Sequence, residues 1–276
     1  QGLTNVEGGR LFGLGACDMK GGLAAMIHLL EDPGPTSWAV AGVFYAGEEG
    51  PAAGNELALV LQEVGWLRSA HFGVVLEPSD GELQVGCNGV VNAVVRFHGR
   101  AAHSARPWLG ENAITKAGDW LAAMHRRQPR DVVINGLVYQ EVMSVTKVSG
   151  GVANNVVPSL FEANVNFRFT PDHSIQSAIE MIQEECRDAD EVEVVDAAPA
   201  GSVDTGHPFV TRLVEATGCP FTAKQGWTDV ARLGEFGIPA INYGPGETAL
   251  AHRPDESIDL GDLDRVLKGL QRALAG

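Results

Sequence analysis

The sequence is short of cysteine, of positive charge and of long apolar runs. Its four cysteines form no Cys-x-x-Cys pair, which argues against a disulfide framework or a thiolate zinc knuckle and predicts reduced thiols. Only 20 Lys and Arg oppose 35 Asp and Glu, and the net charge of -15 disfavours nucleic acid or an anionic membrane as a partner. No stretch approaches the roughly 20 apolar residues of a membrane span. The start at Gln1 lacks the basic and apolar segments of a signal peptide, so we expect a cytoplasmic protein.

The length and the order of periodic segments predict an α/β protein of two domains. A chain of 276 residues is long for one simple core. Residues 38–45 and 72–76 are apolar runs of strand length, as in a sheet covered by helices. Residues 21–30 and 56–64 follow helical spacing. The first part of the chain therefore has an α/β pattern.

The middle of the chain predicts a smaller module of different topology. Asp172, after Pro171, is the predicted N-cap of the helix over residues 174–186 in this module. The order β-α-β-β-α-β is that of a ferredoxin-like unit. In chain order, the predicted elements are strand 90–97, helix 112–126, strands 142–148 and 160–169, helix 174–186 and strand 191–195.

The α/β pattern returns after residue 201, so the module is predicted to be inserted within one α/β domain. The predicted boundaries are 1–89 for the first part of that domain, 90–198 for the insert and 199–276 for the second part. The elements predicted after the insert are helices 208–217, 229–236 and 260–274 and strand 238–243.

Four groups of polar residues sit where predicted strands end or where glycines allow tight turns. Asp18 lies in a Gly-rich loop before a helix, Glu48 and Glu49 follow an apolar strand, Glu77 ends another strand, and His252 lies in a turn-rich loop. Two divalent ions need a bridging carboxylate, further carboxylates and imidazoles. Taken singly, the same residues are a helix cap, a solvated carboxylate pair and a polar loop histidine; together they favour a metal site.

Several stretches carry a resemblance to a known family. The chain resembles the di-zinc aminoacylase/carboxypeptidase family over essentially its whole length, and most closely the actinobacterial succinyl-diaminopimelate desuccinylases within it. The stretches that carry this resemblance are GACDMKG at 15–21, GEE at 47–49, LEP at 76–78, AHSAR at 102–106, GVANNVVP at 151–158, NFRF at 166–169, GWTDVAR at 226–232 and NYGPG at 242–246.

The resemblance implies a two-zinc centre, with cobalt as an alternative metal. Asp18 would bridge the two ions, Glu49 and His252 would complete one site, and Glu77 would belong to the other. Glu48 would be the general base that takes a proton from water and passes it to the leaving amine. The peptide bond after Asp18 is expected to be cis.

The resemblance also implies a composite substrate pocket and a homodimer formed through residues 90–198. His103, which the pattern alone interprets as a surface loop histidine, would reach the partner's active site and stabilise the oxyanion. Asn155 would line the same pocket. Arg168 would hold a substrate carboxylate, and Thr228 with Arg232 could hold another.

Two departures from the family pattern matter for function. None of the eight histidines is followed two places later by Asp, so the family's His-x-Asp motif is absent. We therefore expect the chain to be incomplete at its front, to bind one zinc poorly and to turn over no substrate as it stands. Residues 86–89 read Gly-Cys-Asn-Gly where relatives often carry an arginine pair.

The function that the resemblance implies is hydrolysis of N-succinyl-LL-2,6-diaminopimelate, a small N-acyl amino acid, in lysine and diaminopimelate synthesis. The arginine-free stretch keeps an N-acetylornithine deacetylase, or another acylamino-acid hydrolase or carboxypeptidase of the family, as the alternative enzyme. A dimerising pseudoenzyme or binding protein is the alternative from another class.

Overall fold

The structure is a computed structural model that describes residues 4–36 and 38–275. The start of the chain at Gln1, on which the signal-peptide argument bears, lies outside these residues. The chain forms two compact units. The first comprises Gln1–Cys87, Gly201–Lys224 and Thr228–Gly276, and the second comprises Asn88–Ala200 and Gln225–Trp227.

The strands and helices are numbered in chain order. The strands are β1 (Asn5–Glu7), β2 (Arg10–Phe12), β3 (Gly73–Pro78), β4 (Leu83–Val85), β5 (Gly89–His98), β6 (Ala102–His103), β7 (Arg130–Ile134), β8 (Leu137–Gly150), β9 (Val156–Val157), β10 (Leu160–Phe169), β11 (Glu191–Ala198), β12 (Phe221–Ala223), β13 (Ala240–Gly244) and β14 (Ser257–Asp259). The helices are α1 (Gly21–Glu31), α2 (Glu56–Glu63), α3 (Ala113–Lys116), α4 (Gly118–Arg126), α5 (Ile175–Glu185), α6 (Pro208–Thr217), α7 (Val230–Glu235) and α8 (Leu260–Ala275).

The first unit has the predicted α/β character. Its main sheet has the strand order β12-β4-β13-β3, and β13 runs parallel to β3. Helix α8 packs against α1 and α6. It does so because Val266, Leu270, Ala273 and Leu274 recur at spacings of three and four and are all buried. Strands β3 and β13 thus end side by side, which brings the residues after them to one edge of the sheet.

The prediction of a strand over residues 38–45 is wrong. This segment forms no regular secondary structure and pairs with no strand among residues 4–36 and 38–275. Its apolar side chains are buried without strand pairing, because Val43 and Tyr45 pack against a buried cluster that contains Leu57 and Leu61 of α2. An apolar run predicts burial, whereas a strand also needs a neighbouring backbone to bond with.

The second unit is an antiparallel sheet of order β11-β5-β10-β8-β7 with helices packed on it. Without β7, this is the four-stranded arrangement of the predicted β-α-β-β-α-β unit. Burial alternates along β10, where Phe161, Ala163, Val165, Phe167 and Phe169 face the core. The fold prediction of an α/β domain with an inserted ferredoxin-like module is therefore confirmed.

Two local predictions in this unit need correction. The helix predicted over 112–126 is divided at Ala117, before the weak helix former Gly118. The N-cap of α5 is Ser174, whose hydroxyl accepts from the Ser177 amide, so the prediction of Asp172 is wrong. Asp172 instead accepts from the Thr170 hydroxyl at 2.5 Å.

None of the helices in the described part of the chain is both long and apolar enough to cross a membrane.

Candidate active site

The loop that carries Asp18 leads directly into α1. Residues Ala16–Lys20 form an irregular turn, and the Asp18–Met19 peptide bond is cis, as the resemblance implies. Helix α1 approaches β3 closely at Gly22, where an added Cβ would lie 2.2 Å from the Leu76 carbonyl oxygen. Glycine is required there for steric reasons. This contact sets Asp18, at the head of α1, beside the end of β3 and therefore beside Glu77.

The Glu48–Glu49 pair lies on a loop that is closed at its base. The Glu56 amide donates to the Ala46 carbonyl at 3.1 Å, and the Glu56 carboxylate accepts from the Ala46 amide at 3.1 Å. Gly47 has a φ of 82° and lies so close to Gly54 that an added Cβ would be 2.2 Å from its carbonyl oxygen. Only glycine fits this left-handed, crowded position. The two adjacent carboxylates therefore follow directly from this closed base.

The structure brings three of the four predicted metal ligands together. His252 Nε2 lies 3.3 Å from Asp18 Oδ2 and 3.4 Å from Glu49 Oε1. One donor atom from each residue lies within 4.8 Å of the other two. His252 is held at a positive φ of 60° in the loop after β13. Two carboxylates and one imidazole form a donor set that suits zinc and related divalent ions, and three protein ligands leave a coordination position open.

Glu77 lies next to this cluster but outside the set of three donors. It ends β3 and is 9% exposed. Burial, together with the negative charge of Asp18, raises the pKa of Glu77 to about 7, and Lys224 acts in the opposite direction. The ammonium group of Lys224 also donates to the Pro78 carbonyl at 3.1 Å. Glu77 is therefore close enough to the cluster to interact with it electrostatically.

Glu48 is a half-buried carboxylate among other carboxylates. Burial is the main cause that raises its pKa to about 8, and the charges of Glu77, Asp229, Glu49 and Asp18 add to the shift in that order. A carboxylate with such a pKa can take up and release a proton near neutral pH, as a general base requires. Clustered carboxylates with raised pKa values are also typical of functional sites.

Three polar residues that the sequence analysis missed hold the two ends of the Glu48–Glu49 loop. Asp229 is 1% exposed and accepts from the Tyr45 hydroxyl at 2.5 Å and from Asn55 Nδ2 at 2.8 Å. Burial raises the pKa of Asp229, while its two hydrogen bonds act against the shift. Burial also raises the pKa of Tyr45, so its hydroxyl stays a donor. Tyr45 and Asn55 flank the loop, so one buried carboxylate secures both of its ends.

Thr228 and Arg232, the predicted ligands of a substrate carboxylate, lie on either side of Asp229. The Thr228 hydroxyl is buried and, within the described residues, has no hydrogen-bond partner. The Arg232 guanidinium is 12% exposed, pairs with Glu235 at 2.6 Å and donates to the Ala52 carbonyl at 3.2 Å. In this arrangement Arg232 supports the Glu48–Glu49 loop and does not present its guanidinium fork to solvent.

The second unit places His103, at the end of β6, beside Asn155, in the turn that precedes β9. His103 ends β6, which pairs with β9, and the Ser104 amide donates to the Asn155 carbonyl at 2.9 Å. His103 Nδ1 accepts from the Ala105 amide at 3.0 Å. A neutral imidazole bonded in this way carries its proton on Nε2, which makes that nitrogen a donor. The side chain is exposed, so this donor can reach a ligand.

Arg168 lies on the half-buried polar face of β10. Its Nε donates to Asn166 Oδ1 at 2.9 Å, and Asn166 in turn donates to Asn92 Oδ1 at 2.9 Å. This row of amides holds the arginine on the sheet. By contrast, residues 86–89 are buried and uncharged, so they supply no cation for an anionic substrate.

Comparison with known proteins adds the following similarities. The peptidase dimerisation domain family (M20_dimer) matches residues 85–193. The chain is 39% identical over 272 residues to the DapE protein of Mycobacterium tuberculosis, covering 98% of this chain and 77% of that protein. It is 34% identical over 280 residues to the succinyl-diaminopimelate desuccinylase of Corynebacterium glutamicum, covering 99% of this chain and 76% of that protein.

A solved structure of similar fold is a tripeptidase from Staphylococcus aureus. The TM-score is 0.76 at 21% identity, and the match covers 99% of this chain and 75% of that one. At this identity the likeness concerns the fold.

Proposed function

Because this chain belongs to the M20 family of metal-dependent amide hydrolases, we propose that it acts on N-succinyl-LL-2,6-diaminopimelate. The reaction adds water across the amide bond and releases succinate and LL-2,6-diaminopimelate. Relatives of the chain that carry the desuccinylase name support this substrate. The observation that carries the proposal is the cluster of Asp18, Glu49 and His252, with the proton-accepting Glu48 beside it.

We infer that Asp18, Glu49 and His252 hold zinc, with cobalt as a substitute, and that Glu77 takes part in a second site. The donor set supports the inference, since carboxylate oxygen and imidazole nitrogen are ordinary zinc ligands. The crowding of carboxylates supports it too. Burial and then mutual repulsion raise the pKa values of Glu48 and Glu77, and a divalent cation relieves the repulsion. Bound divalent metal supplies Lewis-acid polarisation and lowers the pKa of water.

Glu48 is the proposed general base. It takes a proton from the attacking water as the new C–O bond forms at the amide carbon. It then donates this proton to the amide nitrogen as the C–N bond breaks, so that the amine leaves neutral. A pKa raised by burial suits both halves of the cycle. Glu48→Gln should lower kcat by about 100-fold or more in an active form of the enzyme while leaving substrate binding in place.

His103 is the proposed donor to the oxyanion, supplied by the partner chain of a homodimer. Its Nε2 proton, fixed by the Ala105 bond to Nδ1, is the donor required. The match to a peptidase dimerisation domain over residues 85–193 supports the dimer. Sedimentation should give twice the 29.2 kDa of one chain. Sedimentation as a 29.2 kDa species at micromolar concentration would contradict the dimer.

Arg168, with Asn155, is the proposed anchor for a carboxylate of the substrate. The uncharged stretch at 86–89 favours the rival substrate N-acetylornithine, because it offers no arginine to a succinyl group. The rates for the two substrates discriminate between them. In an active form of the enzyme, we expect kcat/KM to be about 10- to 100-fold higher for the succinyl substrate, since a hydrogen bond to a charged group is worth about 1.5–3 kcal/mol. A higher value for the acetyl substrate would overturn the assignment.

The 276 residues contain no His-x-Asp, so we propose that this polypeptide alone is inactive. The test assays the chain as it stands and the same chain preceded by a family segment that bears His-x-Asp, both with added zinc. We expect turnover only in the second. Normal turnover by the chain alone would refute the proposed inactivity. Substrate binding without turnover in both would favour the non-catalytic binding protein.

A further inference from the structure

We propose that Glu256 is a positioning residue that fixes Asp18 and His252 in the geometry of the ligand cluster. Glu256 supplies no ligand atom to the cluster itself. It lies four residues after His252, directly before β14, and is 4% exposed. The inference rests on the metal site of the proposed function, and it concerns what holds that site together.

The Glu256 carboxylate is surrounded by backbone amides of the Asp18 loop. Its Oε2 accepts from the Gly15 amide at 2.7 Å, and its Oε1 accepts from the amides of Cys17 and Asp18, each at 2.9 Å. Its own carbonyl accepts from the Gly13 amide at 3.1 Å. Three converging N–H groups form an anion-binding concavity of the kind that successive backbone amides can make. One of these amides belongs to Asp18, so the bond fixes the backbone from which the ligand carboxylate projects.

The same residue is tied to the loop of His252. The Glu256 amide donates to the Arg253 carbonyl at 3.2 Å and closes a turn that begins one residue after His252. A second link runs in parallel, since the Cys17 thiol donates to the Glu247 carbonyl at 3.2 Å. Glu256 therefore joins two loops that are far apart in sequence and that each carry one member of the cluster.

The chemistry of the residue argues for a role beyond filling space. The first unit already holds Asp18, Glu48, Glu49 and Glu77 near one another, and another buried carboxylate adds repulsion. A negative charge is tolerated there because three amides satisfy it with short hydrogen bonds. Glutamine has nearly the same shape, yet its NH2 group would face an amide N–H and could not accept from it. The site therefore requires a carboxylate.

Amide hydrogen exchange in the metal-free chain tests the holding role. Glu256→Gln should speed exchange of the Gly15, Cys17 and Asp18 amides by about 10-fold or more, because local opening becomes easier. The matched control is Glu141→Gln, a carboxylate that is also 4% exposed but accepts from Arg130 in the second unit. It should leave these three amides as protected as in the wild type. Unchanged protection in Glu256→Gln would overturn the proposal.

Cobalt affinity and the visible spectrum of bound cobalt test the link to the metal. Glu256→Gln should weaken Co²⁺ binding by about 10-fold or more, as loss of an outer partner does, and should alter the spectrum. Glu141→Gln should leave both unchanged. Wild-type affinity and spectrum in Glu256→Gln would overturn the positioning role. If the wild type binds no Co²⁺, the metal site of the proposed function fails, and the exchange experiment still decides whether Glu256 holds the loop.

Should Glu256→Gln fail to fold, Glu256→Asp takes its place in both measurements. It keeps the charge but is one methylene shorter, so it cannot reach all three amides. We expect the same changes in smaller degree, and wild-type behaviour of the Asp variant would overturn the proposal.

Discussion

At the scale of the residue, the candidate site is dominated by carboxylates that repel one another. Glu48 and Glu77 have raised pKa values because burial and neighbouring negative charge disfavour their ionised forms. Lys224 is the nearby cation that acts on Glu77. Such an arrangement weakens the fold at neutral pH unless a cation is added, so its presence is better explained by ligand binding than by stability.

The raised pKa values predict how the stability of the metal-free chain depends on pH. Between about pH 4.5 and pH 8, Glu48 and Glu77 lose their protons in the unfolded state but still hold them in the folded state. The free energy of unfolding therefore falls as the pH rises toward 8. We expect Tm to be on the order of 5 °C lower at pH 8 than at pH 5. A double variant, Glu48→Gln with Glu77→Gln, should flatten the profile, and differential scanning calorimetry measures both. Profiles of equal slope would contradict the assignment.

Residue identity and loop position were readable from the sequence, but burial was not. Asp18, Glu49 and His252 stood out because glycines and apolar runs flank them. Asp229 is a buried carboxylate whose partners Tyr45 and Asn55 lie more than 170 positions away, and no local pattern reports a contact of that kind. Glu256 was missed for the same reason, since its partners are the amides of residues 15–18.

At the scale of the element, the loop between Tyr45 and α2 depends on one capping residue with two tasks. The side-chain Oδ1 of Asn55 accepts from the Leu57 amide and so caps α2, while its Nδ2 donates to Asp229. The two functions can be separated by substitution. Serine is a good N-cap, but its side chain is too short to replace the hydrogen bond from Asn55 to Asp229.

We therefore predict different costs for two substitutions of Asn55. Asn55→Ser should lose only the bond to Asp229, and Asn55→Ala should lose the cap as well, at a further cost of about 1 kcal/mol. Urea unfolding measures the two free energies. Equal stability of the two variants would show that the cap contributes nothing. Wild-type stability of Asn55→Ser would show that Asp229 does not need this donor.

The predicted elements were most accurate where periodicity was strong. Helices α6 and α8 begin at the predicted residues because apolar positions recur at helical spacing. The hairpin of β7 and β8 was missed although Asn135-Gly136, both at positive φ, is a typical two-residue turn between apolar runs. The strand predicted over 38–45 failed because strand pairing depends on a neighbour that the segment itself does not reveal.

At the scale of the whole molecule, the thiols are free and mostly buried. Cys17, Cys87 and Cys186 are buried, whereas Cys219 is partly exposed. Burial raises the pKa values of Cys17 and Cys186 to about 11 and also raises the pKa of Cys87. Thiolate is the reactive form, so these three cysteines should be inert in the native state.

A thiol titration checks this distribution. With the native chain at pH 8, we expect one cysteine, Cys219, to react rapidly with an aromatic disulfide reagent, and all four to react in denaturant. Cys219→Ser should abolish the rapid phase. A rapid phase that survives this substitution would show that one of the buried thiols is accessible.

Asp18, Glu49 and His252 are proposed to form one metal site, and calorimetric titration of the metal-free chain with zinc tests this most directly. Glu63→Gln, an exposed carboxylate on α2, is the control. We predict binding of one zinc ion per chain, unchanged in Glu63→Gln. In Glu49→Gln the zinc affinity should fall by at least about 10- to 100-fold. That is the loss typical of removing a residue that only hydrogen-bonds to a metal ligand. No zinc binding, or equal zinc affinity in the two variants, would contradict a metal site formed by these three residues.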